Sequence, residues 1–549
     1  MIRHPSFISL AYIMSSTSRQ HRTDLEFTLD DGVTPLLQDH SESITTPPKV
    51  TPLPKLQLFI AIFIQVAEPV TSTVIYPIVN DLIRSIGITH GDEKKTGYYV
   101  GIVESIFYAA ECLTVMHWGR ASDIIGRKPI LLGGMAGLAL SMFSFGLSKN
   151  YWMLLISRAA QGAFNGNVGV TKSVMAEITD ATNAPQAFAF LPVAWSVGST
   201  LGPAIGGAFV NVDIFGKAGF FKSFPYFLPC FVAALVPICA FTLAFVALKE
   251  TAPLVVRRRK EREVKCDLSI VIDHQVSHPK NDTSKLLPCS GPSYGTLAYK
   301  DQQTPSSPAS TTTCSSSRSP LPRPQEKPTF RSILIPQVLI PITNFAFLAF
   351  LDQCVLVLIP LIYSTPVELG GLNLGPSQIG SILGIWGVIN GFIQVFCFAR
   401  VRRILGHRTT YIIGIVGMGI VFAFFPILSA LVMWDGGRVS WSVYVGIALQ
   451  LASYSFSYMS YACMFLYIAA AAPSRSALGT TNGLAQLTAS GTRAIAPTAA
   501  SSLFALSLTL RGGTSITGGY MVYIVLNLIT AVAVFWSTRL PRELRQRDD

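Results

Sequence analysis

The chain has 549 residues, of which 50% are apolar and only 13% are charged, and its mean hydropathy is +0.45. Soluble domains carry about 25% charged residues, so this composition excludes an ordinary soluble protein and indicates one solvated largely by lipid. The formal charge of +12 could indicate a nucleic-acid partner, but the positions of the basic residues, given below, argue against one.

Apolar runs long enough to cross a bilayer occur along most of the chain. A hydrocarbon core about 30 Å thick needs about 20 residues of helix, because each residue advances about 1.5 Å. The sequence therefore predicts an all-α integral membrane protein with twelve transmembrane helices. In chain order these spans lie near residues 58–79, 97–118, 128–147, 151–174, 187–210, 225–248, 333–363, 376–401, 409–431, 440–471, 477–507 and 519–537.

Polar segments divide these spans into two groups of six. Residues 1–57 are predicted to form a disordered tail, followed by a six-helix half over 58–248. Residues 249–332 are rich in Ser, Thr, Pro and charge, so they cannot bury enough apolar area to fold and are predicted to be a disordered linker. The second six-helix half covers 333–537, and a basic tail covers 538–549.

The basic residues predict the orientation of the chain. If both termini lie on the same side as the linker, most of the 42 Lys and Arg residues fall on that side. By the positive-inside rule, the termini and the linker are then cytosolic. A basic run at 257–260, close after the sixth span, would also be attracted to anionic lipid. The lipid bilayer thus accounts for the positive charge, and no nucleic-acid partner is expected.

A loop with a specific spacing follows the second span. Gly119, Asp123, Gly126, Arg127 and Lys128 fit the pattern G-x-x-x-D-x-x-G-R-K. This loop resembles the signature loop of the major facilitator superfamily. The resemblance implies a gate at the cytosolic face, where the charged residues join helices and help to hold the outward-facing state.

The fifth span carries a second motif, which consists of Gly198, Gly202, Pro203, Gly206 and Gly207. Glycines four residues apart line one face of a helix and allow close contact with a neighbour, while a proline bends the helix. This motif resembles the antiporter motif of the same superfamily, which is associated there with proton-coupled exporters.

The two halves of the chain are also similar in sequence, since residues 399–408 keep the glycine and the basic end of residues 119–128. Repeated halves around a site at the middle of the membrane are common in secondary transporters. The family resemblance implies the major facilitator fold, with two pseudo-symmetric six-helix halves in a monomer.

A narrower resemblance lies in residues 67–77, 101–105 and 482–486. These segments look like the zinc-induced facilitator-like branch of plants and fungi, which sits beside the drug:proton antiporters. Residues 249–253 continue into an arginine run, without the histidine-rich loop of the plant members. No metal site is predicted.

Ionisable residues inside the spans are candidates for proton coupling or for the substrate cavity. Charge inside lipid is costly, so each such residue needs a partner, an aqueous cavity or a function. The candidates are Glu68, Glu104, Glu111, Arg158, Asp352 and Arg493.

Glu68 is the first choice for the proton carrier, because it precedes Pro69, which frees a backbone carbonyl and can bend the helix. Glu104 and Glu111 lie two turns apart on one helix face and could serve one proton path. Each of these glutamates could instead form static hydrogen bonds, and Glu111 could snorkel to the cytosolic end.

Arg158 lies where the family places a buried arginine implicated in proton coupling; the alternative is a structural ion pair. Asp352 could be the acid of the second half or a substrate counter-ion. Arg493 could contact an anionic substrate group or act as counter-ion to Asp352. One sequence does not separate these alternatives.

No P-loop, H-E-x-x-H or G-x-S-x-G pattern occurs, so neither an ATP-driven pump nor an enzyme is expected. No cofactor is expected beyond the proton gradient as energy source. The main hypothesis is proton-coupled export of a small organic molecule, such as a drug, a secondary metabolite or a metal chelator, by alternating access. The alternatives are a nutrient uptake carrier of the same fold and a transporter-like sensor. The expected location is the plasma membrane or the vacuolar membrane.

Overall fold

The computed structural model describes residues 51–166, 168–180, 183, 187–188, 190–210, 223–252, 255–257, 261, 334–473, 478–510 and 519–542. Most of the predicted N-terminal tail and linker, and the end of the C-terminal tail, lie outside the described residues. The predictions of disorder for those segments therefore stay predictions.

Helices make up the first half of the chain, and its first and fourth spans are each broken into two. The helices are α1 (Lys55–Thr73), α2 (Val79–Ile86), α3 (Thr96–Ile125), α4 (Arg127–Gly146), α5 (Tyr151–Asn165), α6 (Val168–Glu177), α7 (Phe190–Ala208) and α8 (Phe227–Ala247). The first helix begins three residues before the predicted boundary at 58, directly after Pro54.

The second half is also helical. Its helices are α9 (Pro336–Ser364), α10 (Pro376–Phe396), α11 (Phe398–Trp434), α12 (Trp441–Ala471), α13 (Leu478–Leu510) and α14 (Met521–Ser537). Within α11, Gly406 has φ 77°, so the helix breaks there and the ninth span begins after it. Only a glycine adopts this left-handed conformation at little cost.

By length and composition, eight of the described helices could cross a membrane. The other four predicted spans are not among these eight. The fourth is broken into two short helices, the twelfth has only 17 residues, and the fifth and tenth contain many Gly, Ser or Tyr residues, which lower their hydropathy. Across the part of the chain that the structure describes, the predicted all-α class is confirmed.

The breaks have local causes. Pro69 lies inside α1 and cannot donate a backbone hydrogen bond, and Pro77 follows the end of α1. In the fourth span, Gly166 sits between α5 and α6, where a side chain would collide with Trp118 and Val115 of α3. The first of these breaks, over residues 74–78, places non-helical backbone inside the protein, where neighbouring helices cover it.

The two halves meet along two helix pairs, α3 with α13 and α7 with α10. In the first pair, Gly101 allows the backbone of α3 to approach Pro497 and Ser501. In the second pair, Gly207 faces Gly380. Small residues permit such approach where lipid provides no hydrophobic force between helices.

A charged group fastens the halves at the end of the molecule opposite the loop of residues 119–128. The Arg84 guanidinium at the end of α2 donates to the carbonyl of Ser364, the last residue of α9, at 2.9 Å. Two carboxylates fix the guanidinium, Asp81 at 2.7 Å and Glu93 at 2.8 Å. We call Arg84, Asp81 and Glu93 with their Ser364 contact the latch.

Further hydrogen bonds join the halves toward the same end. The Asn80 amide donates to the Pro360 carbonyl at 3.0 Å. On the other helix pair, the Thr498 hydroxyl lies 2.8 Å from the Ser105 hydroxyl and 3.1 Å from the Gly101 carbonyl. Together with the latch, these contacts close this end of the molecule.

The contact between α3 and α5 gives a test of the packing. A Cβ on Gly162 would overlap the backbone carbonyl of Phe107, which cannot rotate away. We expect Gly162→Ala to destabilise the protein by about 1–3 kcal/mol, measured as a lower thermal unfolding midpoint in detergent.

Gly133→Ala is the matched control, since nothing lies within 4 Å of its added Cβ. In a helix interior this change should be neutral or should stabilise by up to about 1 kcal/mol. Equal midpoints for the two variants would contradict the close contact between α3 and α5.

Candidate functional site

Glu104 of α3 and Arg158 of α5 form an ion pair that is withdrawn from solvent. Nη2 of Arg158 lies 3.0 Å from Oε2 of Glu104, and the side chains are 0% and 1% exposed. The guanidinium also donates to Oε1 of Gln161 at 2.5 Å and stacks over Phe107 at 4.7 Å. Within the described residues, Oε1 of Glu104 and Nε of Arg158 have no hydrogen-bond partner. The pair neutralises its own charge inside the protein.

Gln161 connects this pair to the first span. Its side-chain amide donates to the backbone carbonyl of Thr71 in α1 at 2.9 Å. The ion pair and Gln161 thus tie together α1, α3 and α5, near Pro69 inside α1.

Glu68 of α1 and Glu111 of α3 form a second acidic site. They are 7% and 6% exposed, and their carboxyl groups are close enough to interact electrostatically. One reading of the sequence placed Glu111 at the membrane surface by snorkelling. The structure contradicts that reading, because α3 continues for several turns to Ile125 and keeps Glu111 among packed helices.

Glu104 and Glu111 therefore face different partners although they share a helix. Glu104 is bound to Arg158, whereas Glu111 faces Glu68 and Asn165. The geometry therefore does not place Glu104 and Glu111 on a single proton path.

Asp352 of α9 is the acid of the second half. Its two carboxylate oxygens accept hydrogen bonds from the hydroxyls of Tyr454 at 2.7 Å and Tyr461 at 2.8 Å, both on α12. The Tyr454 ring stacks on Trp386 of α10 with centroids 5.0 Å apart. Asp352 thus lies against an aromatic wall built from two helices.

Two cations face these acids. Arg493 of α13 interacts electrostatically with Asp352 and Glu68, and its guanidinium lies 5.9 Å from the Trp195 ring of α7. Lys172 of α6 interacts with Glu68 and Glu111. Arg493 therefore interacts with the acid of its own half and with the acids of the other half, which agrees with the counter-ion reading.

Five of these residues form what we call the central chamber: Glu68, Glu111, Lys172, Asp352 and Arg493. They come from both halves, and each lies on a different helix. Among the ion pairs of the described residues, none joins two members of this set. The chamber holds charges of both signs at a distance from one another, unlike the closed pair beside it.

A small cavity of about 20 Å³ lies between the halves on the latch side of the chamber. Tyr76 and Pro203 line it from the first half, and Trp386, Tyr454 and Tyr458 from the second. A space of this size holds about one water molecule.

We call the loop of residues 119–128 the gate loop. In it, the contacts of Arg127 run to the ends of neighbouring helices. Its guanidinium binds Asp123 at 2.7 Å and Glu177, the last residue of α6, at 2.9 Å. The Thr251 hydroxyl donates to the other oxygen of Glu177 at 2.6 Å. The predicted charged loop thus joins the ends of α3, α4 and α6 within the first half. A Cβ added at Gly119 would have no neighbour within 4 Å.

Glu250, just after α8, caps the start of α4. Its carboxylate accepts from the backbone N–H groups of Arg127 at 2.8 Å and Lys128 at 3.1 Å, where the helix dipole favours negative charge. Gly126 has φ 121°, and a Cβ there would meet the Glu250 carboxylate. The Lys128 ammonium donates to the Phe245 carbonyl at 2.8 Å. The motif therefore requires a glycine at position 126.

The glycines of the fifth span pack against the first span. Side chains at Gly198, Gly202 and Gly206 would collide with α1, at Pro69, at Thr73 and at the Val74 carbonyl respectively. On the other side of α7, a side chain at Gly207 would meet Gly380 of α10, which also lies against the Pro203 carbonyl. The motif thus lets one helix contact both its own half and the opposite half.

Several residues of the site escaped the sequence analysis. Glu177 and Glu250 lie at helix ends, and no local pattern marks their contact with Arg127. Tyr458 and Tyr461 recur with Tyr454 at helical spacing on one face of α12, so that stripe was a usable signal. Asn165 and Lys172 carried no role from the sequence.

Comparison with known proteins agrees with this architecture. The model of the Major Facilitator Superfamily matches residues 61–497. A multidrug transporter of this superfamily from Aspergillus fumigatus is 29% identical over 480 residues, covering 81% of this chain and 77% of that protein. Protein ZINC INDUCED FACILITATOR 1 of Arabidopsis thaliana is 27% identical over 489 residues, covering 88% and 90%.

Among solved structures, the D-xylose-proton symporter matches with a TM-score of 0.59 at 13% identity, covering 89% of this chain and 98% of that one. This likeness shows the fold alone. The relatives are transporters rather than enzymes, and they confirm the resemblance to the drug:proton antiporters and the zinc-induced facilitator branch. The chain is thus a multi-pass membrane transporter that belongs to the Major Facilitator Superfamily.

Proposed function

We propose that this protein is a proton-coupled exporter of a small organic molecule, working by alternating access. The observation that carries the proposal is the central chamber, in which three acids and two cations from both halves stay unpaired with one another. A site of this kind can change its occupant as the halves move, whereas a closed ion pair cannot.

The charge of the chamber supports the coupling. If all five groups are ionised, three negative and two positive charges leave one net negative charge. An uncompensated charge in a dry protein interior is costly, so the chamber favours one additional positive charge. A proton and a positively charged substrate group would then compete for the same place, which is the requirement for exchange of one against the other.

Aromatic side chains around the chamber fit a flat, cationic substrate. Trp386 and Tyr454 stack on each other beside Asp352, and Trp195 lies under Arg493. Aromatic faces attract cations and stack on planar groups. An amphiphilic drug or an aromatic secondary metabolite with a basic nitrogen would satisfy both requirements.

The conformation supports alternating access. One end is closed by the latch and by the inter-half hydrogen bonds, while the gate loop at the other end makes its charged contacts within the first half. With the basic loops in the cytosol, as the charge distribution favours, we propose that this conformation is the inward-facing state of a monomeric carrier. The relative named a multidrug transporter supports export. We propose the plasma membrane as the location, with the vacuolar membrane as the alternative.

Removing the acid of Glu68 tests the proton coupling. We expect Glu68→Gln to reduce transport driven by a pH gradient at least tenfold, because an amide of similar size cannot bind and release the proton. The measurement is efflux of a fluorescent aromatic cation such as ethidium from proteoliposomes, with and without the gradient.

Glu368→Gln is the control, because Glu368 is an exposed glutamate outside the chamber. It should retain wild-type flux. Full pH-driven flux in Glu68→Gln would show that another group carries the proton.

Direction is tested in cells that lack or overproduce the protein. For an exporter, small molecules retained on deletion should be expelled on overproduction. The reverse pattern would establish uptake, and a protein that changes no compound but alters a cellular response would be a sensor.

The latch provides a separate test of alternating access. We expect Arg84→Ala to open the latch end, since losing a charged hydrogen bond is worth about 1.5–3 kcal/mol, or about ten- to a hundredfold in the equilibrium. The readout is labelling of an Ile359→Cys substitution, in the closed cavity, by a membrane-impermeant maleimide.

Lys95→Ala is the matched control, because Lys95 forms an exposed pair with Asp92 at the same end without bridging the halves. The same proteins without the cysteine at position 359 give the background from native cysteines. Labelling that Arg84→Ala leaves unchanged would rule out the latch as a gate.

A further inference from the structure

Asn165 is a buried amide whose hydrogen-bonding capacity is unused. It is the last residue of α5 and is 0% exposed. Within the described residues, neither Oδ1 nor Nδ2 has a hydrogen-bond partner. An unsatisfied buried polar group costs about 1–3 kcal/mol, so two on one side chain require an explanation in function.

The amide faces the carboxyl groups of both Glu68 and Glu111. Neither contact has the distance and angle of a hydrogen bond, which is why both amide atoms are unpaired. The break at Gly166, against Trp118 of α3, ends α5 at this point and sets the amide beside the two acids. Three helices thus bring one amide and two carboxyl groups together.

The chemistry of the three groups is asymmetric. An amide side chain has one donor end and one acceptor end. An ionised carboxylate only accepts, and a protonated carboxyl can donate its O–H. An amide that contacts two acids is therefore satisfied at both ends when one acid is ionised and the other is protonated. With no proton, the amide oxygen would face only acceptors.

We propose that Asn165 joins Glu68 and Glu111 into one proton-binding site that holds a single proton between them. Its amide nitrogen donates to the ionised carboxylate, and its amide oxygen accepts from the protonated carboxyl. This inference rests on the proton coupling proposed above and assigns Asn165 as its positioning residue.

The charges around the site support one proton rather than two. Two cations beside the acids disfavour protonation of both acids at once. A pair with one proton has one negative charge, Asp352 has another, and together they balance the two cations of the chamber. The charged and titratable groups that face the pair are Lys172 of α6 and Arg493 of α13, and, on the helix of Glu111 itself, Tyr108 and Cys112.

A half-turn of the amide exchanges its donor and acceptor ends. The proton can then leave one carboxyl group and be bound by the other, with the same two hydrogen bonds restored afterwards. The site keeps its charge during this exchange. A substrate cation that displaces the proton would leave both acids ionised, and the amide oxygen would lose its donor.

An infrared pH titration of the purified full-length protein in detergent tests the proposal without any substrate. The carbonyl stretch of protonated carboxyl groups reports each protonation, and the Glu68→Gln, Glu111→Gln double variant gives the background from all other acids. We expect the wild-type pair to titrate in two separate steps. In Asn165→Ala the steps should move together by about one pH unit or more, a tenfold change in proton concentration.

Two variants separate this role from a structural one. Asn165→Gln keeps a donor and an acceptor and should restore at least part of the separation. Asn344→Ala removes a buried amide of α9 whose oxygen is also unpaired and should leave the titration unchanged. Each variant is checked for its thermal unfolding midpoint.

A titration of Asn165→Ala identical to that of the wild type would overturn the proposal, as would two wild-type protons bound in one step. Either result would leave the transport assay of Glu68→Gln untouched. Conversely, pH-driven flux retained in Glu68→Gln would overturn the coupling while the infrared titration still reports on the pair.

Discussion

The ion pair between Glu104 and Arg158 is withdrawn from water on every side, and the first, second and fourth spans are arranged around it. Moving two charges into such a site is costly unless each finds a partner with good geometry. Gln161 and the ring of Phe107 complete the surroundings of the guanidinium. Breaking the pair would leave an isolated buried charge, so this interaction fixes how these three spans pack.

Next to this closed pair, the central chamber follows the opposite rule. Its acids and cations are distributed over α1, α3, α6, α9 and α13, which belong to different halves. Because these groups do not neutralise one another directly, the protonation of one acid and the presence of a charged ligand change the balance of the whole set. The contrast separates a charge pair that is closed inside the fold from charges that form no ion pair with one another.

The movements of a transporter need interfaces that pack closely and can still separate. Glycine contacts between α3 and α13, and between α7 and α10, bring backbones together without interlocking side chains. Polar contacts at the latch end and the charged network of the gate loop provide the reversible part. Close packing of Gly198, Gly202 and Gly206 on α1 keeps the fifth span with its own half, while Gly207 meets the other half.

Length, hydropathy and charge determined the all-α membrane class, the two groups of six spans and the family, since apolar runs and short spaced motifs are local properties of a sequence. The spacing from Gly119 to Lys128 and the glycines of the fifth span were readable for the same reason. Only the tertiary structure decided that Glu104 is closed off by Arg158 while Glu111 faces Glu68, although both lie on one helix. It also decided which groups Asn165 and Glu250 face. Each of these depends on a partner from a helix distant in sequence, and helical periodicity tells which residues share a face but not what that face meets.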